Sequence, residues 1–437
     1  MSAAKRPPPG WWLLVIGFPL VTLILVIGGF LVAAQGGFAA FQVPRDDSTT
    51  VRTDATVLER GRYLARIGDC VGCHTVRGGQ PLAGGRGFAT DWGVVYSTNL
   101  TPDPATGLGN WSPAEFRHAM QHGVSRTGLL YPAFPFQHFQ YLEQADVDAI
   151  FAWLRSQPAV VAPTPANTLE WVAGWRPVML GWRMLFHRPH PLPQAPDRSQ
   201  TWLRGRYLVE GLGHCAMCHG HRGSYGSQPL PLRFAGGRIP RQGWVAPALD
   251  GASLSHWNVA DLADYLRIGM APQGSAFGPM AEVVRSSTQY LTQSDAEAIA
   301  QYLMELPPVR IAPAYRDFPL QHARSQIDVR TAALYEKHCG DCHGDDGRGQ
   351  VPFYPALAGN PQVTASDPVN LIRITLVGAA APTTAGNPAP HSMPPFVNRL
   401  ADAELLAILN HVRGSWGNDA TVISKRQLED VRAMAVE

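Results

Sequence analysis

The chain begins with a long apolar stretch that has basic residues before it and acidic residues after it. The 24 residues Trp11–Ala34 are almost wholly apolar, with Lys5 and Arg6 before them and Asp46 and Asp47 after them. A helix of that length would span the roughly 30 Å hydrocarbon layer of a bilayer. The length therefore predicts an uncleaved transmembrane helix, and the charges predict that its N-terminus is cytoplasmic. A cleaved signal peptide is the alternative, although its apolar region usually has only about 7–15 residues.

Farther along, apolar residues recur at the spacing of an amphipathic helix in three separate stretches. They are Val147, Ile150, Phe151 and Leu154; Ile299, Tyr302 and Leu303; and Leu405, Ile408, Leu409 and Val412. Ser294 and Glu297 predict a capping box for the second of these helices. Each stripe is interpreted as the core-facing side of a helix that closes a domain.

All six cysteines of the chain belong to Cys-x-x-Cys-His units. The units contain Cys70, Cys73 and His74; Cys215, Cys218 and His219; and Cys339, Cys342 and His343. This spacing is the attachment signature of c-type haem, in which two thioethers hold the porphyrin and the histidine binds the iron. Zinc knuckles are the alternative, but no further cysteine remains to complete a four-ligand site. We therefore predict three covalently bound haem c groups.

Repeats around the three units predict similar domains. Arg60–Leu64 recurs as Arg204–Leu208 ahead of the second unit, and Leu82–Gly85 recurs as Phe234–Gly237 behind it. A helix before each unit and another at the end of each stretch is the plan of class I cytochromes c. We predict an all-α fold of three tandem class I cytochrome c-type domains, loop-rich because the chain has 43 glycines and 38 prolines, after one N-terminal transmembrane helix.

Proline clusters after the first and second apolar stripes predict the domain boundaries. We expect an anchor and linker over 1–52, cytochrome c domains over 53–160, 198–310 and 311–437, and a Trp-rich linker over 161–197. The three predicted domains are called segments I, II and III below. The linker is expected either to pack against the domains or to dock on a partner or the membrane surface.

Methionines on loops before the last helix are candidate sixth ligands of the haem iron. Met393 fits this position in segment III, and Met280 fits it in segment II, with Met270 as its rival. A thioether opposite the histidine raises the reduction potential and blocks the binding of small molecules. We predict Met280 and Met393 as axial ligands.

Segment I has Phe134 where a ligating methionine is expected. His138 follows on the same loop, and we predict it as the sixth ligand of the first haem. His118, His122 or a vacant position are the alternatives. A second histidine stabilises ferric iron, so the first haem is expected to have the lowest potential of the three.

Charge and motifs narrow the classes of function. The chain has 36 basic and 34 acidic residues, without a basic stripe, so nucleic acid is not an expected partner. No phosphate-binding or dinucleotide-binding motif and no spare cysteine nucleophile indicates substrate chemistry of its own. Because bacteria attach c-type haem in the periplasm, we expect the haem domains on the periplasmic side of the inner membrane.

Nearly the whole chain after residue 55 resembles the triheme cytochrome c subunits of bacterial membrane-bound dehydrogenases. The residues that carry this resemblance are Gly61–Ala65, Gly68–Cys70, Tyr96–Asp103, Trp111–Phe116, Gly278–Val284 and Ser415–Asn418. Such subunits serve alcohol, gluconate, sorbitol and fructose dehydrogenases, and molybdenum hydroxylases.

The resemblance implies a subunit that passes electrons from a partner dehydrogenase to ubiquinone or the respiratory chain. Quinoprotein and flavoprotein members typically have methionine at the position of Phe134. Phenylalanine there, with His138 four residues later, resembles subunits paired with molybdopterin aldehyde dehydrogenases, which also have a small [2Fe–2S] subunit. A quinoprotein alcohol or sugar dehydrogenase is the alternative partner. Two rival functions are those of a peroxidase with an open haem and of a passive haem carrier.

Overall fold

The computed structural model describes residues 17–34, 50–187, 189–309, 329–351 and 353–435. Its first helix, α1, is Phe18–Ala34. Seventeen residues rise about 26 Å at 1.5 Å each, less than the roughly 30 Å of a bilayer core. Across the described ranges, no helix combines the length and the apolar character that a membrane crossing requires. The predicted transmembrane helix is therefore wrong for the described residues; positions 11–16 of that prediction lie outside them.

Segments I and II contain the same elements in the same order. Segment I has α2 (Ala55–Ile67), α3 (Cys70–Cys73), β1 (Gly87–Thr90), β2 (Gly93–Tyr96), α4 (Pro113–His122), β3 (Val124–Ser125), β4 (Gly128–Leu129), α5 (Phe136–Phe139) and α6 (Gln144–Arg155). The stretch that follows has β5 (Thr168–Leu169), α7 (Trp171–Gly174) and α8 (Arg176–Phe186). Segment II has α9 (Gln200–Arg206), α10 (Ala216–His219), β6 (Gly237–Ile239), β7 (Trp244–Ala246), α11 (Val259–Ile268), β8 (Met270–Ala271), β9 (Gly274–Ser275), α12 (Gly278–Ser286) and α13 (Gln293–Met304).

Segment III follows a related plan and adds a helix at its end. It has α14 (Val329–Tyr335), α15 (Asp341–His343), α16 (Pro361–Thr364), α17 (Val369–Val377), β10 (Ala379–Ala380), β11 (Ser392–Met393), α18 (Asp402–Gly414) and α19 (Lys425–Ala435). One π-helix, Tyr207–Leu212, precedes the second Cys-x-x-Cys-His unit, and another, Glu336–Gly340, contains the first cysteine of the third unit. Tyr63 stands seven residues before Cys70 but Tyr207 stands eight before Cys215, and the π-helix accommodates the extra residue.

The predicted all-α class is wrong because the loops fold back as short antiparallel hairpins. β1 pairs with β2 and β6 pairs with β7 directly after the haem loops, and β5 extends the first sheet at β2. Smaller pairs are β3–β4, β8–β9 and β10–β11. Strands of two to four residues leave little periodicity to detect, yet pairing satisfies the backbone groups of these loops.

In each segment the helix before the haem unit packs against a long helix near the C-terminal end of the segment. These pairs are α2 with α6, α9 with α13 and α14 with α18. Glycine permits the close crossing in two of them. A Cβ on Gly61 would lie 1.9 Å from the carbonyl oxygen of Ala149, and one on Gly205 would lie 1.9 Å from that of Ala298.

The start of α13 differs from the predicted capping box. Its N-cap is Thr292, whose side chain accepts a hydrogen bond from the backbone N–H of Asp295. Ser294 instead lies inside the helix. Its hydroxyl is 3.1 Å from that of Thr292.

Segments I and II are joined by two reciprocal tyrosine–aspartate hydrogen bonds. Tyr63 of segment I donates to Asp295 of segment II at 2.6 Å, and Tyr207 of segment II donates to Asp146 of segment I at 2.7 Å. Arg60 pairs with Asp146 and Arg204 with Asp295, each within its own segment. The repeated Arg-Gly-Arg-Tyr-Leu sequence therefore builds a pseudo-twofold contact.

Apolar packing follows the same division. One cluster of buried residues extends through both segments I and II, from Leu64 and Ile150 to Leu208 and Leu303. A second cluster lies in segment III, around Ile372 and Leu405. Segments I and II thus share a core, whereas segment III has its own.

Candidate functional site

Each Cys-x-x-Cys-His unit lies on a short helical segment. The first and second units span α3 and α10 with one flanking residue each, and the third runs from the π-helix Glu336–Gly340, which contains Cys339, into α15. None of the six cysteines, all of which are described, is paired in a disulfide, so each is available for a thioether bond to a porphyrin. The residue before the first cysteine adopts a left-handed conformation in two units, at Asp69 (φ 54°) and His214 (φ 38°).

A backbone carbonyl orients the imidazole of all three units. Nδ1 of His74 is 2.6 Å from the oxygen of Thr98. The corresponding distances are 2.7 Å from His219 to Pro247 and 3.0 Å from His343 to Pro355. An Nδ1–H that donates to a carbonyl leaves the lone pair on Nε2, the nitrogen that would bind iron.

Burial shifts the pKa values of the ligand groups. Desolvation lowers the pKa of His74, His219 and His343, which keeps the imidazoles neutral as ligands. Desolvation also raises the pKa of the Cys70 and Cys215 thiols to about 12. Among the residues described, no three His, Cys, Asp or Glu side chains are grouped to hold a metal ion.

A cavity of about 2250 Å³ extends past the second and third units. It is lined by their cysteines and histidines, together with Met280 and Met393. Apolar side chains from α11, α13 and α18, among them Leu262, Leu303 and Leu409, line the same space. The size and lining suit a bulky apolar group, and the residues present therefore fit haem.

The two predicted ligand methionines lie on different supports. Met280 lies in the first turn of α12 and packs against the shared core of segments I and II. Met393 lies in β11, opposite Ala379 of β10. The rival Met270 is not among the residues that line the cavity, and its Sδ is 3.5 Å from the amide Nδ2 of Asn387.

His138 lies beside the second haem unit. It is only 2 % exposed, and its Nδ1 is 2.9 Å from the carbonyl oxygen of Glu210. Its Nε2 is 3.4 Å from Oε1 of Gln228, whose Nε2 donates to the carbonyl of Ala216. Iron ligation by Nε2 would require it to leave Gln228. His138 as a ligand stays a prediction.

The remaining candidates in segment I differ in burial: His118 is buried, whereas His122 on the same helix is exposed. The rings of His118 and His122 are 4.9 Å apart on α4. Phe134 packs edge-on against Phe139 at 5.4 Å. Phe134 thus fills apolar space in the loop where the methionine is absent.

Part of the Trp-rich linker packs against segments I and II. Met179 of α8 is buried, Trp182 donates to the carbonyl of Tyr225, and Tyr131 donates to that of Ala173. Trp171 and Trp175 are exposed. The structure thus supports internal packing for one side of the linker and leaves two indoles at the surface.

Several residues that hold the site could not be recognised from the sequence. The carbonyls of Thr98, Pro247 and Pro355 carry no side-chain signal, because every residue has a carbonyl group. Arg86 pairs with Glu282 of segment II, which is 196 residues away in the chain. Its place directly after the repeated Ala-Gly-Gly loop is the only available signal.

Three Cys-x-x-Cys-His units on short helical segments, each with an imidazole oriented by a backbone carbonyl, define a protein with covalently bound haem. The chain matches the cytochrome c family over residues 58–158, 204–307 and 329–416. It belongs to that family.

Several known proteins similar to this chain are subunits of dehydrogenases. It is 38% identical over 409 residues to the gluconate 2-dehydrogenase cytochrome c subunit of Pantoea cypripedii, covering 89% of this chain and 92% of that one. It is 36% identical over 388 residues to the alcohol dehydrogenase (quinone) cytochrome c subunit of Gluconacetobacter polyoxogenes, covering 85% and 83%. A nicotinate dehydrogenase subunit of Pseudomonas putida is 41% identical over 372 residues, which are 82% of this chain but 30% of that protein.

These findings confirm the resemblance to the cytochrome c subunits of dehydrogenases. Cytochrome c domains imply covalently bound haem c, and the cysteine pairs 70/73, 215/218 and 339/342 fit three such groups.

Proposed function

We propose that this chain is the triheme electron-transfer subunit of a dehydrogenase complex. The observation that carries this proposal is the threefold recurrence of a Cys-x-x-Cys-His turn whose imidazole is oriented by a backbone carbonyl. When bound, haem c supplies a one-electron Fe(III)/Fe(II) couple. The cysteines would hold the porphyrins, and His74, His219 and His343 would bind the irons.

We propose Met280, Met393 and His138 as the sixth ligands. Methionine opposite histidine favours ferrous iron and closes the site to small molecules, which suits electron transfer rather than catalysis. The lining of the large cavity by Met280 and Met393 supports two of these assignments. For segment I the support is the sequence position of His138, four residues after Phe134, with His118, His122 or no ligand as alternatives.

The electron donor in this proposal is a partner dehydrogenase and the acceptor is ubiquinone or the respiratory chain. Phe134 supports a molybdopterin aldehyde dehydrogenase with a small [2Fe–2S] subunit as donor. The relative named alcohol dehydrogenase (quinone) supports the alternative, a quinoprotein alcohol or sugar dehydrogenase. Haem attachment supports a location on the periplasmic side of the inner membrane.

The haem content tests the central claim. A pyridine haemochrome assay on the purified full-length protein should give three equivalents, and two after Cys70 and Cys73 are both replaced by alanine. The same result is expected for each of the remaining two cysteine pairs. Fewer than three equivalents in the unaltered protein would contradict the proposal.

The proteins that co-purify with the chain test the partner. A molybdopterin subunit would support the first assignment and a quinoprotein the second. Oxidation of substrate by the purified chain alone, or peroxide turnover at an open haem, would overturn the role of a relay.

A further inference from the structure

The helix that carries Met280 has only one buried residue, Val284. No side chain caps its N-terminus, where Phe277 is the N-cap residue. Contacts from outside segment II therefore weigh heavily in fixing where Met280 lies.

Arg86 of segment I provides the first of these contacts. Its Nη1 lies 2.5 Å from Oε1 of Glu282 and its Nη2 lies 3.1 Å from Oε2, a two-point ion pair. Glu282 stands two residues after Met280. The same Nη1 donates at 2.5 Å to the carbonyl oxygen of Gly72, inside the first Cys-x-x-Cys-His unit. One guanidinium thus joins that unit to the helix of Met280.

Glycine fixes the start of the loop from which Arg86 reaches across. Gly84 has φ +74°, and a Cβ there would lie 2.5 Å from the carbonyl carbon of Thr98, the residue whose oxygen orients His74. The backbone that carries Arg86 is therefore held against the first haem unit.

The opposite end of α12 is joined to the residues directly before the same unit. Ser286 donates to Oδ1 of Asp69 at 2.6 Å, and Ser287 donates to the carbonyl oxygen of Ile67 at 2.9 Å. The helix is thus fastened to segment I at both ends.

Met393 is supported in a different way. Its strand pairs with β10 within segment III. The N–H groups of Phe396 and Val397 then donate to Thr375 and Leu376 of α17. Met393 can therefore serve as an internal reference for Met280, because its support lies within its own segment.

We propose that Arg86 is a positioning residue for Met280, so that segment I sets the axial ligand of the haem in segment II. A metal ligand must be held to within about 0.5 Å by its surroundings. Loss of the two-point ion pair frees the first turn of α12, and the thioether no longer stays at the iron. This inference rests on the proposed ligation by Met280.

The test uses the full-length protein with its haems and the variants Arg86→Gln, Arg86→Lys and Arg198→Gln. Arg198 pairs with Glu305 at 2.7 Å, and its side chain is 47% exposed against 33% for Arg86. It therefore controls for the loss of a surface ion pair in segment II. The readouts are the near-infrared methionine–Fe(III) magnetic circular dichroism band, carbon monoxide binding by the reduced protein, and hydrogen exchange across 278–286.

Arg86→Gln should lose part of the near-infrared band, gain up to one carbon monoxide equivalent, and exchange faster across 278–286. Arg86→Lys should restore much of the band because it keeps the charge, and Arg198→Gln should match the unaltered protein. An unchanged band in Arg86→Gln, or an equal loss in Arg198→Gln, would overturn the inference.

Met280→Ala separates this inference from the ligand assignment. If that variant keeps the whole near-infrared band, Met280 is not a ligand and the assignment itself fails. If it loses part of the band while Arg86→Gln does not, the assignment survives and only the role of Arg86 is refuted. A haemochrome assay on each variant shows that three haems are retained.

Discussion

The side chain of His138 lies where segments I and II meet, and that location determines what it can bind. Its contact with the carbonyl of Glu210 resembles that of Ser287 with the carbonyl of Ile67 on the opposite side of the pseudo-twofold contact. Burial lowers the pKa of His138 to about 3, so the ring is neutral. A neutral ring that donates its Nδ1–H to the carbonyl of Glu210 can make this contact and also bind iron through Nε2.

Replacement of His138 by alanine distinguishes these roles. If His138 is the sixth ligand, the reduced variant should bind one more equivalent of carbon monoxide than the unaltered protein, and the lowest reduction potential should rise. Carbon monoxide titration and potentiometry provide the measurements, with His122→Ala as the control. A variant that binds no additional carbon monoxide would restrict His138 to holding the segments together.

The hydrogen bond from Tyr63 to Asp295 shows how one contact between segments contributes to the free energy of unfolding. Desolvation raises the pKa of Asp295, but hydrogen bonds from Arg204 and Tyr63 outweigh it and hold the pKa below its ordinary value. A depressed carboxyl pKa contributes stability above the unfolded value, about 3.9, and that contribution is lost as the pH falls through the folded value.

Tyr63→Phe should therefore lower the free energy of unfolding of segments I and II by about 1–2 kcal/mol at pH 7. The difference from the unaltered protein should shrink below about pH 4. Urea unfolding at both pH values measures it. Tyr335→Phe is the control, because Tyr335 donates to Gly344 within segment III. An equal effect at both pH values would show that the charge on Asp295 does not contribute.

At this scale the sequence predicted residues whose spacing carries the chemistry. The nine residues of the haem units were recognisable because the two cysteines and the histidine are adjacent in the chain. The partners of Tyr63 and Arg86 were not, because Asp295 and Glu282 approach them only after folding.

Among the elements, the crossing of α2 with α6 depends on Gly61, and that of α9 with α13 depends on Gly205. Each glycine faces a carbonyl oxygen of the opposite helix. The helices that frame the first and second haem units are therefore held at backbone contact, and any side chain there would separate them.

Gly61→Ala and Gly205→Ala should each lower the free energy of unfolding by about 1–3 kcal/mol, because the added methyl group overpacks the crossing. Gly181→Ala is the matched control, since it lies in α8 with nothing within 4 Å of the added Cβ. It should be neutral or raise stability by about 0.5 kcal/mol. Denaturation curves of the three variants check this; a neutral Gly61→Ala would mean that the helices can part without cost.

The elements show why periodicity predicts long helices better than short strands. The stripes at Val147 and Leu405 identified α6 and α18, because burial repeats along several turns. The hairpins were missed because β3, β4, β8 and β9 have two residues each. The cap at Thr292 was missed because Ser294 offered a similar hydroxyl group two residues later.

Considered whole, the described protein has two buried cores for three segments. The first extends through segments I and II and the second lies in segment III. Segments II and III meet around the large cavity and through polar contacts, among them Asn370 with the backbone of Val245 and Arg238 with Asp367. The partly buried Val245 is an apolar residue of segment II that packs against the core of segment III. Cooperative unfolding follows shared apolar burial.

Segments I and II should therefore unfold together and segment III separately. Hydrogen exchange at increasing urea should show α2, α6, α9 and α13 losing protection at one concentration, and α14 and α18 at another. Loss of protection in segment I before segment II would contradict a shared core. The sequence indicated three similar units but not this pairing, because the repeats are equally visible whether or not neighbouring units share an interior.

The reciprocal bonds of Tyr63 and Tyr207 have a further consequence for the connecting polypeptide. Two similar small domains that make symmetric contacts with each other behave like the subunits of a dimer. The largely exposed stretch 194–199 then connects the two segments without fixing their relative position. If the chain were cleaved there, segments I and II would stay associated. The covalent connection would then contribute little beyond raising their effective concentration.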